Sequence, residues 1–469
     1  MKESKYNFYL NDDEYNINLI YNAFKNTLIR DDGKKVQHFI KLCKNDIQFN
    51  SEYITEAEFN DLVSSGIIVS NDANEKQSVI YRNNKRLEQL HQKNDVLSLV
   101  ITPTLQCNFK CYYCFESINT RKREESINME VQNDILHFIE KSITENHIKE
   151  VDITWYGGEP LIQSDIIYSM QKKIGEICRY HNIKFNSNIV TNGILLLPET
   201  CNLLYEYGIK QIQITIDGPE HIHNKHRYYP ENPTNNYNQI LENILNSNNN
   251  IHYNIRINID KTNKDFIFEL IEDLIKRKVW PYKKNVSIYT AHIASASITD
   301  LSPKEFSVLQ DQIRYYLREK YSEINHNFIK KAKLEFIYPK LGGNKSCGYG
   351  ISRNSWVISY NGDVFRCWDP VGQKEHRVGT MKDLLEDFGN SIFEKIKLDI
   401  HTFEQWGCFD CKFFPICGSK CHWNFIKNNE ERKCTEWKNV LEYRLLNQYK
   451  LYLKEPEVFD KTPFNVDKI

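Results

Sequence analysis

Cys107-Asn-Phe-Lys-Cys111-Tyr-Tyr-Cys114 is the stretch from which the rest of the chain is read. Its three cysteines keep a Cys-x3-Cys-x2-Cys spacing and follow an apolar run, Val96 to Ile101. Thiolates are the usual ligands of iron–sulfur centres, so three of them can hold three corners of a four-iron cluster. The fourth iron is left without a protein ligand, and an open coordination position marks a catalytic rather than a structural metal. A zinc knuckle short of one ligand, or three packed core thiols, is the plainer alternative.

Three further motifs sit at the ends of strand-like runs. Trp155-Tyr-Gly157-Gly158-Glu159-Pro160 follows one, Thr191-Asn192-Gly193 the next, and Thr215-Ile-Asp217-Gly218-Pro219 the one after. With the cysteine loop they resemble the radical S-adenosylmethionine (SAM) superfamily over residues 97–290 or so. The resemblance implies that the open iron binds the amino and carboxylate groups of SAM. An electron from the cluster then cleaves the sulfonium and releases a 5′-deoxyadenosyl radical, so the cofactors carry the hard chemistry and the protein orients them.

The 469 residues make two to four domains a fair expectation. Net charge is −1, with 41% apolar and 26% charged residues, which describes a globular chain and argues for neither nucleic acid nor a membrane surface. The start, Met1-Lys-Glu-Ser-Lys, carries no apolar targeting run, and the expected location is cytoplasmic. In a reducing compartment, cysteines point to metal or redox chemistry rather than disulfides. Ten of the thirteen fall into motifs, whereas Cys43, Cys178 and Cys201 read as ordinary buried thiols in helical segments.

Residues 1–90 precede the chemistry. Tyr6–Leu10 and Asn16–Tyr21 alternate as a hairpin around residues 11–14. Val36, Phe39, Ile40 and Cys43 take helical spacing. Thr55-Glu-Ala-Glu58 is a capping box opening a helix that stops at Gly66, and Ile67-Ile-Val-Ser reads as a strand. The order suggests a small winged-helix-like unit for peptide recognition, and the plainer alternative is an extension packed on the enzyme. Residues 84–95 are polar and read as a helical or loose linker.

Strand–helix alternation then predicts strands ending near Ile101, Trp155, Thr191, Ile216, Asp260 and Tyr289, hence a parallel α/β sheet. The resemblance makes this a partial (β/α)6 barrel over 97–300, with its site past the strand ends. By the same resemblance, Gly157, Gly158 and Glu159 receive the SAM amino group, and Tyr113 contacts SAM. Asn192 belongs to the same SAM-binding set, Thr215 lies near the ribose, and Arg227 takes the carboxylate, which suits a guanidinium fork.

Residues 301–346 bridge to a second cysteine system and open with the capping box Ser302-Pro-Lys-Glu305. Cys347 is followed by fourteen residues, Gly362, four more and Cys367; then come Cys408-x2-Cys411-x5-Cys417-x3-Cys421 and Cys434. Taken alone, the last group is as compatible with a four-thiolate zinc site as with a cluster. Joined to the barrel motifs, the seven cysteines resemble a SPASM domain, here 347–440, which holds two auxiliary four-iron clusters. The resemblance assigns Cys347, Cys367 and Cys421 to the first, and Cys408, Cys411, Cys417 and Cys434 to the second. It makes three [4Fe-4S] clusters and SAM the expected cofactors, and residues 441–469 a tail without motifs.

Enzymes of this kind mostly modify peptides. The reading is a maturase of ribosomally made peptides that installs a thioether, a carbon–carbon crosslink or an inverted stereocentre. Its partners would be a precursor peptide, its leader held by residues 1–90, and an electron donor such as flavodoxin or ferredoxin. The alternative is an anaerobic sulfatase-maturating enzyme. Against it, residues 348–366 contain no further cysteine, about ninety residues precede the barrel, and Cys367 is followed by Trp368 before Asp369 rather than directly by an aspartate. Asp369 is nevertheless the nearest candidate for a catalytic base. A reading from another class is a non-enzymatic metal scaffold or peptide carrier; the SAM motifs argue against it, because a scaffold has no use for them.

Overall fold

A computed structural model describes residues 1–43, 46–92, 95–114, 116, 125–293, 301–321, 339, 351–417, 434 and 437–456. Cys347 and Cys421 lie outside them, so the ligand set expected for the first auxiliary cluster is represented by Cys367 alone. The chain forms two compact units.

One unit combines Met1–Leu90 with Arg314–Cys347 and Leu398–Ile469. Its first part runs β1 (Lys2–Glu3), β2 (Asn7–Asp12), β3 (Ile17–Asn22), β4 (Thr27–Arg30), α1 (Lys35–Cys43), α2 (Glu56–Ser64), β5 (Ile68–Val69) and α3 (Glu75–Gln92). The expected hairpin is β2–β3, paired from Asn7↔Asn22 to Asp12↔Ile17. β4 adds a third strand that alternation did not disclose, because only four residues pair. β5, expected as a strand, closes against β1 at the extreme N-terminus. Ile20, Ile29, Val36, Phe39 and Leu62 share one buried core. At its edge the Asn22 amide donates to Ser4 Oγ, Asn7 Oδ1 and the Gly66 carbonyl, so strand and helix end are tied by one polar side chain. The presumed linker is the second half of α3: Val79, Asn83 and Leu87 recur every four residues and are buried, which is the helical period.

This first part packs with the C-terminal segment. Phe8 lies 4.7 Å from Phe413, ring centre to ring centre, and Lys412 caps the Phe8 ring at 4.6 Å. Asp12 pairs with Lys450 of the helix Trp437–Lys454.

The other unit, His91–Ile313 with Gly348–Lys397, holds the sheet. Its elements are β6 (Val96–Ile101), β7 (Lys110–Cys111), α4 (Met129–Glu145), β8 (Glu150–Trp155), α5 (Ser164–Tyr180), β9 (Lys184–Thr191), α6 (Pro198–Glu206) and β10 (Ile209–Thr215). They continue with α7 (Glu220–His226), β11 (Arg227–Tyr228), α8 (Asn236–Leu245), β12 (His252–Ile259), α9 (Ile267–Lys276) and β13 (Val286–His292). Six strands lie in the order β13-β12-β10-β9-β8-β6, and every neighbouring pair is parallel. This is the expected α/β sheet, with strand ends within three residues of those read from the sequence. Along β6 and β8 every second side chain is buried, from Leu97, Leu99 and Ile101 to Val151, Ile153 and Trp155.

One extension was not legible. β14 (Ser355–Ile358) pairs in parallel with β6, and β15 (Asp363–Phe365) and β16 (Gly379–Thr380) follow antiparallel, which makes a sheet of nine strands. These strands are too short for alternation to stand out. The segment that the cysteine spacing groups as 347–440 is thus divided, its Gly348–Lys397 part belonging with the barrel strands and its Leu398–Ile469 part with the first ninety residues.

The capping box at Thr55 is formed: Glu58 N–H donates to Thr55 Oγ1 and Thr55 N–H to the Glu58 carboxylate. Thr55→Ala should therefore lower stability by about 1 kcal/mol, read as a shift in the denaturant midpoint.

Candidate active site

The cysteine loop leaves β6 and is fastened at its far end by main chain. β7 pairs antiparallel with β11, which sets Cys111 opposite Arg227 and Lys110 opposite Tyr228. Tyr112 N–H donates to the His226 carbonyl, and Phe109 stacks on Tyr229 with ring centres 5.1 Å apart. Cys107, Cys111 and Cys114 are partly buried and not joined in disulfides. Phe109 N–H points at Cys107 Sγ (3.4 Å), although burial pushes this thiol's pKa up in the absence of a metal. Among the described residues no three His, Cys, Asp or Glu side chains converge on a position for a single ion. A four-iron cluster asks for something else, one thiolate on each of three separate irons, and three thiols on one short loop fit that donor set.

The glycine turn is shaped by the loop beside it. Gly157 has φ +127°, and a Cβ there would stand 2.4 Å from the Thr104 carbonyl oxygen. At Gly158 it would stand 2.0 Å from the Gln106 carbonyl oxygen, closer than any side chain allows. Hydrogen bonds from Gly158 N–H to Thr104 O and from Glu159 N–H to Gln106 O sew the turn to the chain just before Cys107. Glu159 is fully buried. One carboxylate oxygen accepts from Leu161 N–H (3.1 Å) and Thr191 Oγ1 (2.7 Å), the other from Asn192 N–H (2.7 Å). Burial raises its pKa against those bonds. Its side chain thus spends most of its acceptor capacity on the next strand end. Asn192 in turn donates to Asn108 Oδ1 at 2.7 Å, reaching the cysteine loop from the other side.

Beneath the loop lies a buried polar hub. Tyr113 Oη donates to Asp217 Oδ2 (2.6 Å) and accepts from Arg227 Nη1 (2.6 Å) and Asn258 Nδ2 (3.1 Å). Arg227 is 8% exposed, and its Nε is buried without a hydrogen-bond partner. Burial works against its charge, but Cys111, Tyr113 and Asp217 outweigh it and raise its pKa. An orphaned guanidinium N–H beside the three-thiol loop suits the carboxylate of SAM. Thr215 is buried where β10 ends. Asp217 and Asn258 were not singled out from the sequence. Asp217 stands in the Thr215–Pro219 motif, but nothing in the spacing says that its carboxylate turns inward.

Asp369 is brought to the same neighbourhood. Trp368 packs on Tyr156, ring centres 4.8 Å apart. The Tyr156 hydroxyl's pKa is raised by burial first, then by the fields of Glu116, Cys114 and, more weakly, Asp369. Asp369 and Cys114 therefore act on one tyrosine, which directly precedes the glycine turn.

The second cysteine group lies in the other unit. Cys411 N–H donates to Cys408 O and Cys417 N–H to Phe413 O, in a tight turn followed by one helical turn. The Lys438 ammonium sits among three of the thiols. Burial lowers its pKa, but a bond to Cys434 and the fields of Cys411, Cys434 and Cys417 raise it overall.

Comparison with known proteins places this geometry. Residues 101–280 match the radical SAM superfamily. The chain is 27% identical over 416 residues to a radical SAM cyclopropyl synthase, TigE, of Paramaledivibacter caminithermalis, covering 82% of each chain. It is 25% identical to a cysteine-type anaerobic sulfatase-maturating enzyme of Clostridium perfringens, over 75% of this chain and 98% of that one. In fold it is similar to the structure of native anSMEcpe with bound AdoMet: TM-score 0.57, 20% identity, 76% of this chain and 99% of the other covered. No helix among the described residues is long and apolar enough to cross a membrane.

Burial pushes the Asp217 carboxyl up to about 6, against the pull of Arg227 and Tyr113. A carboxyl raised on folding adds stability in its protonated form, and that stability is lost as pH rises from the ordinary carboxylate range through about 6. Relative to Asp217→Asn, the wild-type chain should lose about 2 kcal/mol of stability between pH 4 and pH 7, measured by denaturant unfolding at each pH.

Proposed function

Residues 101–280 are a radical SAM domain, and from that premise we propose that the chain is a peptide maturase acting on a ribosomally made precursor. The observation that carries the reading is the strand pairing that sets the three-thiol loop against Arg227, with the Gly157–Gly158 turn packed alongside. Cys107, Cys111 and Cys114 would hold a four-iron cluster, and Arg227 the SAM carboxylate. When bound, the pair supplies one-electron cleavage of the sulfonium and a 5′-deoxyadenosyl radical that removes a substrate hydrogen. The chain's own part is to bind, orient and keep water out, since the hub side chains are buried. Asp369, next in sequence to the Trp368 that packs on Tyr156, is the carboxylate offered as a base for a substrate proton. Cys408, Cys411, Cys417 and Cys434 would hold one auxiliary cluster; Cys367, with Cys347 and Cys421 outside the described residues, would hold another. The whole set amounts to three clusters, SAM and an external electron donor such as flavodoxin or ferredoxin, in the cytoplasm.

Two relatives bear on the bond formed. One is named for building a cyclopropyl ring, the other for maturing sulfatases. The first covers more of this chain, 82% against 75%, and the sequence departures from sulfatase-maturating enzymes point the same way. Formylglycine formation remains the second reading, carried by the 25% identity to the sulfatase-maturating enzyme over 98% of its length.

The leader would be held at β4, which among the described residues pairs with β3 alone. An extended peptide can add a strand at such an edge, and tethering raises the local concentration of the segment to be modified. Because Phe8 and Asp12 pack on the C-terminal segment, removing residues 1–90 would strip that segment too. Amide exchange is the cleaner probe. A precursor encoded beside this gene should slow exchange at 27–30, and an unchanged rate there would relocate leader binding.

Anaerobic reconstitution should give about twelve irons per chain. Changing Cys107, Cys111 and Cys114 together to Ala should remove about a third of them and all SAM cleavage. Zinc at the C-terminal cysteines, with only about four irons bound, would overturn the auxiliary clusters while leaving the barrel reading intact.

A further inference from the structure

The Tyr113 hydroxyl has no capacity left for a ligand. A phenol offers one donor and two acceptor positions. Asp217, Arg227 and Asn258 take all three, at 2.6, 2.6 and 3.1 Å. Its partners are themselves fixed. Arg256 Nε donates to Asn258 Oδ1 at 2.7 Å, and the Asn263 amide donates to the carbonyls of both Asp217 and Asn258. The hub is therefore anchored on the ends of β10 and β12, not on the cysteine loop alone. Arg227 gives Nη1 to this hydroxyl, while its Nε is buried without a partner. Nε and the adjoining Nη2 form the side edge of a guanidinium, the edge that takes a carboxylate with two parallel bonds.

We propose that the Tyr113 hydroxyl, locked by Asp217 and Asn258, is a positioning group that holds Arg227 with its Nε edge turned to the SAM carboxylate. This rests on the reading of the three-thiol loop as a SAM site. It gives Tyr113 a role through Arg227 in addition to any contact of its ring, and gives Asp217 and Asn258 a role that the motif pattern does not supply. Without the hydroxyl, Arg227 keeps its charge but loses the anchor that orients it.

The test is equilibrium binding to the iron-reconstituted protein of two ligands, SAM and decarboxylated SAM, which lacks the group that Arg227 would hold. Tyr113→Phe should weaken SAM about 10-fold, the scale of one charge-assisted hydrogen bond. It should leave decarboxylated SAM within about 2-fold and the iron content unchanged. Arg227→Gln is the reference and should abolish the preference for SAM over its decarboxylated form. Adding Tyr113→Phe to it should cost nothing further, because the two act as one unit. Equal weakening of both ligands by Tyr113→Phe would show a packing role and overturn the proposal. If Arg227→Gln removes the preference and Tyr113→Phe does not, the proposal alone falls. If Arg227→Gln leaves the preference intact, the SAM-site reading of Arg227 falls with it. Should Tyr113→Phe lose iron, Asn258→Ala carries the same comparison. It removes a donor to the hydroxyl from β12, and it should weaken SAM about 3-fold and its decarboxylated form not at all, with equal weakening again decisive against.

Discussion

The antiparallel pairing of Cys111 with Arg227 is the constraint on which the candidate site depends. A loop that carries three cysteines has little reason of its own to hold one shape, since its thiols repel one another once ionised and its polar backbone needs partners. Pairing with β11 satisfies part of that backbone and fixes the loop against the segment that supplies the guanidinium. The remaining anchors come from the opposite side. The Thr104 and Gln106 carbonyls accept from the glycine turn, and Asn108 accepts from Asn192. Each motif at a strand end therefore touches the cysteine loop directly, and the site is assembled from contacts between loops that the parallel strands merely bring to one end.

This arrangement also gives residues of the motif pattern work within the chain itself. Gly158 is small because the Gln106 carbonyl leaves no room for a Cβ, a demand that exists before any ligand arrives. Glu159 is tied to Thr191 and Asn192, so it joins two strand ends. Both observations are compatible with a cofactor resting on the turn. The Arg227 Nε, by contrast, is buried without a partner.

Much of this was legible because it follows from period and spacing. The six parallel strands, the capping boxes at Thr55 and Ser302, and the hairpin at the N-terminus each have a local signature. What escaped has no such signature. β4, β14, β15 and β16 pair over two to four residues, and two-residue β7 and β11 owe their existence to a partner more than a hundred residues away. The polar hub escaped for a related reason. Asp217 and Asn258 become a pair only when β10 and β12 lie side by side, and a sequence read one window at a time cannot see that adjacency. The segment expected at 84–95 as a helical or loose linker is helical to Gln92, and its polar residues are the exposed face of an amphipathic helix whose buried face is narrow.

The division of the C-terminal cysteine region follows from the same physics of small cores. A segment of some fifty residues with short strands has too little apolar surface to fold alone, so each half must borrow a core. The half with Cys367 borrows the barrel sheet through β14 on β6, with Val357 and Phe365 buried beside Leu105. That attachment carries Trp368 onto Tyr156 and so delivers Asp369 to the strand-end face. The half with Cys408, Cys411 and Cys417 borrows the N-terminal sheet, through Phe413 on Phe8 and Lys412 over the same ring. A change at Phe8, far in sequence from any cysteine, therefore bears on the turn that presents Cys411 and Cys417. The N-terminal part is in this sense a structural partner of the second cysteine group.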